Sequence, residues 1–403
     1  MKKTIIYFLS AAVLWGCSSS DEPAGGGVEI KLKPQETQYV KTQNNFAFNF
    51  FKKVIEHSAE PNAIVSPLSA SMCMSLIANA TAGETQQEIV SALGFDSSEL
   101  DALNKLNYKL AQSLSAVDRR CKVSLANSVW MDNSISAKQD FTNRVSASYG
   151  AEFFVENLSS LDAMFKINRW ASDKTSGMIQ QFLEAPFVDT RVALINALYF
   201  KGEWSAKFDT KNTAERTFNN LSGVKSNVPM MKGDMYVDAS HDSEGADWVR
   251  LGYGSGAFEM ILILPDENVL LKDYLKLLDE DTFKTMTGSL KSYKGTVVLP
   301  KFDICCEMVL NSLLSSLGVN RIFNNGDFSQ FSNDISQLDK VLQKTHIIVD
   351  EEGSEMSSVT GNTDPISPGA VEKAKFVFDR PFAFIIHERS SNAILFMGTI
   401  SEL

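Results

Sequence analysis

Apolar positions fall into two rhythms along this chain, one of helical period and one of short continuous runs. Phe46, Phe48, Phe50, Phe51, Val54 and Ile55 crowd one side of the segment from Phe46 to His57, which predicts a helix. Ala63–Ser69 reads as a short strand stopped at Pro67. Ala70–Ala80 beyond it is apolar almost all round, the mark of a buried helix. Thr85-Gln86-Gln87-Glu88 ahead of Ile89 has the form of a capping box, with Gly94 closing the helix it opens. Leu125–Met131 predicts a strand. Phe141–Tyr149 and Leu161–Thr175 predict helices, the second capped at Gly177. Val192–Phe200 is apolar except at Asn196, which suits a central strand covered on both faces. Phe258–Leu264, Thr296–Phe302, Val341–Asp350, Phe376–Phe378, Phe382–Ile386 and Ala393–Thr399 supply further strands. Helices dominate the first half and strands the second, so the fold class is α+β.

The rhythm breaks between Asp350 and Phe376. Glu351-Glu352-Gly353-Ser354-Glu355-Met356-Ser357-Ser358-Val359-Thr360 opens a polar, small-residue stretch that continues through Asn362, Asp364, Pro365, Pro368 and Gly369. Most loops in compact domains are far shorter, and the long ones tend to be functional.

The first residues are a leader. Lys2 and Lys3, the apolar run Ile5–Val13 and Leu14-Trp15-Gly16-Cys17 make residues 1–16 a secretory signal, since the run is too short to span a bilayer. Gly16-Cys17 resembles a bacterial lipoprotein processing site, which makes Cys17 the expected lipidated N-terminus; an ordinary cleaved signal is the alternative. Residues 17–39, with Asp21, Glu22 and Gly25-Gly26-Gly27, are the expected tether. The protein is therefore expected on the outer membrane and surface-exposed, with periplasm-facing or secreted forms as alternatives. Residues 40–403 hold no linker, charge block or repeat and read as one domain. A net charge of −11 disfavours nucleic acid and anionic membrane surfaces as partners, so the membrane is met through the lipid alone.

Catalytic and metal signatures are missing. The four histidines, His57, His241, His346 and His387, form no H-E-x-x-H arrangement. Gly252-Tyr253-Gly254-Ser255-Gly256 precedes a strand instead of opening a helix, so it reads as a hairpin turn, not a phosphate loop. Neither a G-x-S-x-G elbow nor a C-x-x-C pair occurs. No metal, no cofactor and no catalysis by the chain itself are expected. Cys73 and Cys121 lie in apolar segments, and a bridge between them stays open. Adjacent Cys305 and Cys306 would point to opposite faces of a strand.

Eight landmarks, in order, resemble the serpin family of protease inhibitors: Val65-Ser66-Pro67-Leu68-Ser69, Gly83-Glu84-Thr85, Ile167-Asn168-Arg169-Trp170, Thr175-Ser176-Gly177, Ile195–Trp204, Leu299-Pro300-Lys301-Phe302, Val349–Gly353 and Asp379-Arg380-Pro381-Phe382. The resemblance runs from Asn45 to Leu403. It implies three β-sheets, about nine helices and an exposed reactive-centre loop on a metastable monomer. A target serine or cysteine protease would attack the loop and become trapped as an acyl-enzyme when the cleaved loop inserts into the large sheet. The runner-up is a non-inhibitory serpin-fold binding protein or a mere protease substrate.

The resemblance also assigns residues. Glu351–Ser358 is the loop hinge, with Ser354, Met356, Ser358 and Thr360 facing inward on insertion and Glu355, Ser357 and Val359 outward. Further on, Asn362 and Asp364 face inward, where a buried carboxylate is costly, and Pro365 cannot donate to a ladder. Ser66, Ser69 and Asn196 match the polar cluster beneath the strands that part, and Gln343 stands where the family's histidine does. Trp204 matches the tryptophan below the insertion point. Counting forward from Gly353 gives Ser367–Pro368 as the bond cut, while counting back from Pro381 gives Ala370–Val371. Proline after the cut makes a poor substrate, so Ala370–Val371 is the expected reactive bond, with elastase-like or papain-like targets. Lys373–Ala374 is the trypsin-like alternative.

Overall fold

The structure is a computed structural model that describes residues 28–353 and 373–403. Among these residues are nine α-helices: α1 (Pro34–His57), α2 (Pro67–Ala80), α3 (Gly83–Ala92), α4 (Leu100–Leu114), α5 (Gln139–Tyr149), α6 (Leu161–Lys174), α7 (Leu271–Leu277), α8 (Glu280–Ser289) and α9 (Asn311–Ser316). The early strands are β1 (Ala63–Val65), β2 (Cys121–Met131), β3 (Glu152–Val155), β4 (Val192–Gly202), β5 (Ala214–Asn219), β6 (Lys225–His241) and β7 (Ala246–Tyr253). The later ones are β8 (Phe258–Pro265), β9 (Lys291–Pro300), β10 (Phe302–Val309), β11 (Lys340–Val349), β12 (Lys373–Val377), β13 (Phe382–Glu388) and β14 (Ile394–Ile400).

A five-stranded sheet has the order β10-β11-β4-β2-β3. The remaining nine strands form one hydrogen-bonded network, β1-β14-β13-β8-β7-β6-β9-β12, with β5 beside β6. Strand β6 belongs to two sheets at once. Its last residues, Asp238–His241, pair with β7, while Lys225–Ala239 pair with β5 and β9. The architecture is thus α+β with three sheets, two of them joined through one long strand.

Helix α2 is the spine beneath the five-stranded sheet. Pro67 occupies its first turn, Ser66 Oγ accepts from Ser69 N–H at 3.3 Å as the cap, and every residue of the helix is buried. Strand β4 is covered on both faces, as its apolar run predicts. Leu194, Leu198 and Phe200 join the main core, while Ala193, Ile195 and Ala197 pack with Ile167 and Trp170 of α6. The glycine cluster at 252–256 is the turn between β7 and β8, with Gly254 and Gly256 at φ +56° and +90°.

Several expectations shift. Helix α1 begins at Pro34 rather than Phe46, and packing reaches into the segment expected as tether: Ile30 is buried and its N–H donates to Ser390 Oγ at 2.8 Å. Thr85 and Glu88 do not cap α3, which starts at Gly83. Thr85 Oγ1 instead accepts from Asp327 N–H, and Glu88 Oε2 accepts from the N–H groups of Asn320 and Arg321. Helix α4 has no counterpart in the predicted set, although Leu103, Leu106, Leu110 and Leu114 recur at helical spacing and are fully buried. Cys73, Cys121, Cys305 and Cys306 are all free thiols, so no Cys73–Cys121 bridge forms. Residues 1–16, Cys17 and the glycines of the tether lie outside the described residues.

Candidate functional site at the opening of the large sheet

Strands β4 and β11 are parallel neighbours whose ladder is incomplete. Pairing covers Lys340–Thr345 against Ala193–Leu198 and stops there. Both strands continue, β11 to Val349 and β4 to Gly202, without pairing to each other. The sheet is therefore closed at one end and parted at the other. The hinge Glu351-Glu352-Gly353 leaves β11 at the parted end.

At the closed end, a buried polar cluster crosses the seam. Gln343 and Asn196 are register partners, and Gln343 Nε2 donates to Asn196 Oδ1 at 3.2 Å. Gln343 also holds the entry to α2 from both sides: Ser66 N–H donates to its Oε1, and its Nε2 donates to the Ser66 carbonyl, both at 3.1 Å. Ser69 Oγ donates to Asn196 Oδ1 at 2.6 Å. Asn196 Nδ2 then donates to Asn127 Oδ1 at 2.8 Å, extending the row onto β2. Every member is buried, and a buried amide is stable only when so partnered. Ser66, Ser69, Asn196 and Gln343, which the resemblance groups, are in hydrogen-bond contact here. Asn127 was not among them, although, like Asn196, it interrupts an apolar run.

At the parted end, Trp204 is the organising residue. Its ring is 1 % exposed and stacks on Tyr253 with centroids 4.3 Å apart. Its Nε1–H donates to the Asp350 carbonyl at 2.8 Å, and its backbone N–H donates to the Glu352 carbonyl at 3.0 Å. Gly353 lies against it at φ +98°; a Cβ there would stand 2.3 Å from Trp204 N and 2.5 Å from the Gly202 carbonyl. Only glycine fits both the angle and the space.

The two hinge carboxylates are each held. Glu351 is buried, paired with Lys301 Nζ at 2.7 Å and accepting from Thr213 Oγ1 at 2.6 Å. Burial pushes its pKa up, but the hydrogen bonds from Lys301 and Thr213 prevail and hold it below the usual value. Glu352 pairs with Lys207 at 2.6 Å, and Lys207 also reaches Glu203 at 3.4 Å. Burial pushes the neighbouring Asp350 carboxyl upward. Lys207, Thr213 and Lys301 escape a reading of sequence spacing, since their partners are distant in the chain. These are structural pairings: carboxylates, amides and an indole fixing one chain segment against another.

The far end of the long loop returns as β12, beside β9. Ala374 pairs with Gly295, where a Cβ would lie 2.8 Å from the Ala374 carbonyl oxygen. The Lys373–Ala374 bond is therefore the first of an edge strand. Hinge residues Ser354, Glu355, Met356, Ser357 and Ser358, the expected bond Ala370–Val371 and the alternative Ser367–Pro368 lie outside the described residues.

A sequence model of the family Serpin (serine protease inhibitor) matches residues 41–403. The chain belongs to the serpin family. Plasminogen activator inhibitor 1 of Sus scrofa is 29% identical to this serpin over 369 residues, covering 89% of this chain and 91% of that one. The native-state crystal structure of tengpin, a thermophilic serpin, is similar with a TM-score of 0.82 and 28% identity, covering 93% of this chain and 96% of tengpin. Human thyroxine-binding globulin has a TM-score of 0.83 at 23% identity, covering 91% of this chain and 99% of that one, a likeness in fold alone. The serpin fold thus houses proteins of different uses, and the parted sheet carries the functional argument.

Proposed function

We propose that this serpin is a stoichiometric suicide inhibitor that traps proteases by inserting its cleaved loop between β4 and β11. The observation that carries the reading is the parted end of that seam, with the hinge entering it. Two contacts there imply the register an entering strand would take. Trp204 N–H on the Glu352 carbonyl, continued antiparallel along β4, sets Ser354 opposite Gly202, Met356 opposite Phe200 and Thr360 opposite Asn196. The Asp350–Gly353 bridge, continued along β11, sets the same residues opposite Val349, Ile347 and Gln343. Asn196 and Gln343 are already register partners, so both continuations agree.

That register has chemical sense. Positions 194, 196, 198 and 200 of β4 face the main core, so Ser354, Met356, Ser358 and Thr360 enter on the core side and Glu355 on the other. Thr360 arrives between two amides that offer both donors and acceptors. Asn362 falls opposite Leu194. Asp364 falls opposite Val192, the first residue of β4, and Pro365 beyond it. The carboxylate then sits at the end of the sheet, and the proline needs no ladder bond.

In the trapping step, the protease's serine or cysteine nucleophile bonds to the Ala370 carbonyl carbon. The C–N bond to Val371 breaks, and Val371 leaves as an amine with the proton carried by the protease's own base. Insertion then drags the acylated protease away before water reaches the ester or thioester. Alanine at the cut favours elastase-like or papain-like enzymes. Cys17 is proposed as the lipid attachment of a surface-exposed outer-membrane protein.

Cleavage of the loop tests the reading. A sheet that gains a strand should melt at a markedly higher temperature, because the native state is a kinetic trap. A cleaved chain with the melting temperature of the intact one would overturn it.

A further inference from the structure

Strand β10 is one edge of the five-stranded sheet, on the side of β11 away from the seam. Leu310 N–H donates to the Val341 carbonyl at 2.8 Å, which fixes the phase of the β10–β11 ladder. Pairs alternate along an antiparallel ladder, so Phe302, Ile304, Cys306 and Met308 turn their backbone groups toward β11. Asp303, Cys305, Glu307 and Val309 turn theirs off the sheet, where no hydrogen bond meets them among the described residues. A free edge is usually blunted by lysine, proline or a bulge. Strand β10 has none of the three.

The edge opens onto a cleft of about 490 Å³, within the range of about 300–1,000 Å³ common for ligand sites. Ile304, Cys306 and Met308 form its inner wall and pack against the main core. Val54 of α1, Pro61 and Leu313 of α9 complete an apolar lining. Apart from His57, the charged groups of the cleft are Glu60 and Glu307, and no lysine or arginine lines it. Glu60 is exposed and makes no ion pair among the described residues. Glu307 meets Lys344 at 3.0 Å, and Asp303 on the same face of β10 meets His346 at 2.6 Å.

We propose that this edge and its cleft bind an extended segment of a partner protein, one that alternates apolar and basic residues. The free N–H and carbonyl groups call for a strand laid about 4.8 Å from β10. Every second side chain of that strand lies on the face of Ile304, Cys306 and Met308, over the cleft, where burial of apolar groups is favourable. The intervening side chains fall beside Asp303 and Glu307, where basic groups complement the carboxylates. A second copy of the chain is the rival occupant, since its long loop could supply a strand. Residues 351–372, however, hold Glu351, Glu352, Glu355, Asp364 and Glu372 and no lysine or arginine. Their charge has the sign of the cleft, which disfavours them there. The site is separate from the seam, and its occupation requires no cleavage of the loop.

The test uses the full chain and two blocked heptapeptides, one alternating valine with lysine and the other valine with glutamate. Titration at low salt reads binding, and hydrogen exchange reads its place. The valine–lysine peptide should bind saturably and slow exchange over residues 303–309 about tenfold, while the valine–glutamate peptide should do neither. Cys305→Pro removes one outward N–H and no ladder bond, so it should weaken binding about tenfold at an unchanged melting temperature. Glu60→Gln/Glu307→Gln leaves the backbone intact and should weaken binding by a similar factor. No protection of residues 303–309 by millimolar valine–lysine peptide, or equal binding of the two peptides, would overturn the site. Protection over residues 194–200 and 341–347 instead would put the peptide in the seam and overturn it too. Slow exchange over 303–309 without peptide, lost on dilution, would make a second copy the occupant and overturn the partner assigned here.

Discussion

Gln343 and Asn196 are partners across the two strands that would part, and the hydrogen bond between them is one of few side-chain links on that seam. Gln343 also satisfies both backbone groups of Ser66. Gln343→Ala would leave the buried Ser66 N–H unpaired, while the Ser66 carbonyl keeps Ala70 N–H and Asn196 Oδ1 keeps Ser69 Oγ; the cost is about 1–3 kcal/mol and should lower the urea midpoint. Gln343→His adds a second prediction. Below about pH 6 a protonated imidazole cannot accept from Ser66 N–H, so the variant's urea midpoint should fall from pH 7.5 to 5.5 more steeply than that of wild type. Parallel pH profiles would contradict the assigned bonds.

Gly353→Ala places a methyl against Trp204 N and the Gly202 carbonyl at a positive φ. The conformational penalty alone is about 1–2 kcal/mol. The hinge should be displaced and insertion slowed, so more protease should escape per chain consumed. An unchanged stoichiometry of inhibition would contradict this role.

Glu351 links the hinge to pH. Its folded pKa lies below its ordinary value of 4.5, so the stabilisation is complete above that value and lost as pH falls through the lowered one. Asp350, pushed up by burial, works in the opposite sense. Glu351→Gln should therefore weaken the acid-induced loss of stability below pH 4.5, measured by thermal unfolding from pH 3 to 6. An acid limb as steep as that of wild type would contradict the Lys301 and Thr213 pairing.

Much of this was legible in the sequence where one physical signal dominates. Pro67 after Ser66 marks the start of α2, and the apolar run of Val192–Phe200 marks a strand covered on both faces. Strands β5 and β6 were missed because they are half-exposed, and β6 carries a proline and a glycine within its length. The first turns of α1 were missed because Pro34–Gln38 is polar. The seam itself is invisible to local pattern, since Lys340 meets Ala193 from far along the chain. For the same reason the resemblance to the family could name Gln343 and Asn196, while Asn127, Lys207 and Thr213 needed the structure.

The N-terminal proposal has a direct check. Fatty-acid labelling of the protein expressed in a bacterium should be lost in Cys17→Ala while the serpin domain still folds. Labelling that persists would contradict attachment at Cys17.

The most direct test of the trapping mechanism is the intact mass of the product formed with an elastase under denaturing conditions. The account predicts a covalent adduct of the protease with the chain ending at Ala370, less one water, together with a released peptide of Val371–Leu403. Cleaved chain beside free, active protease, with no adduct, would contradict it.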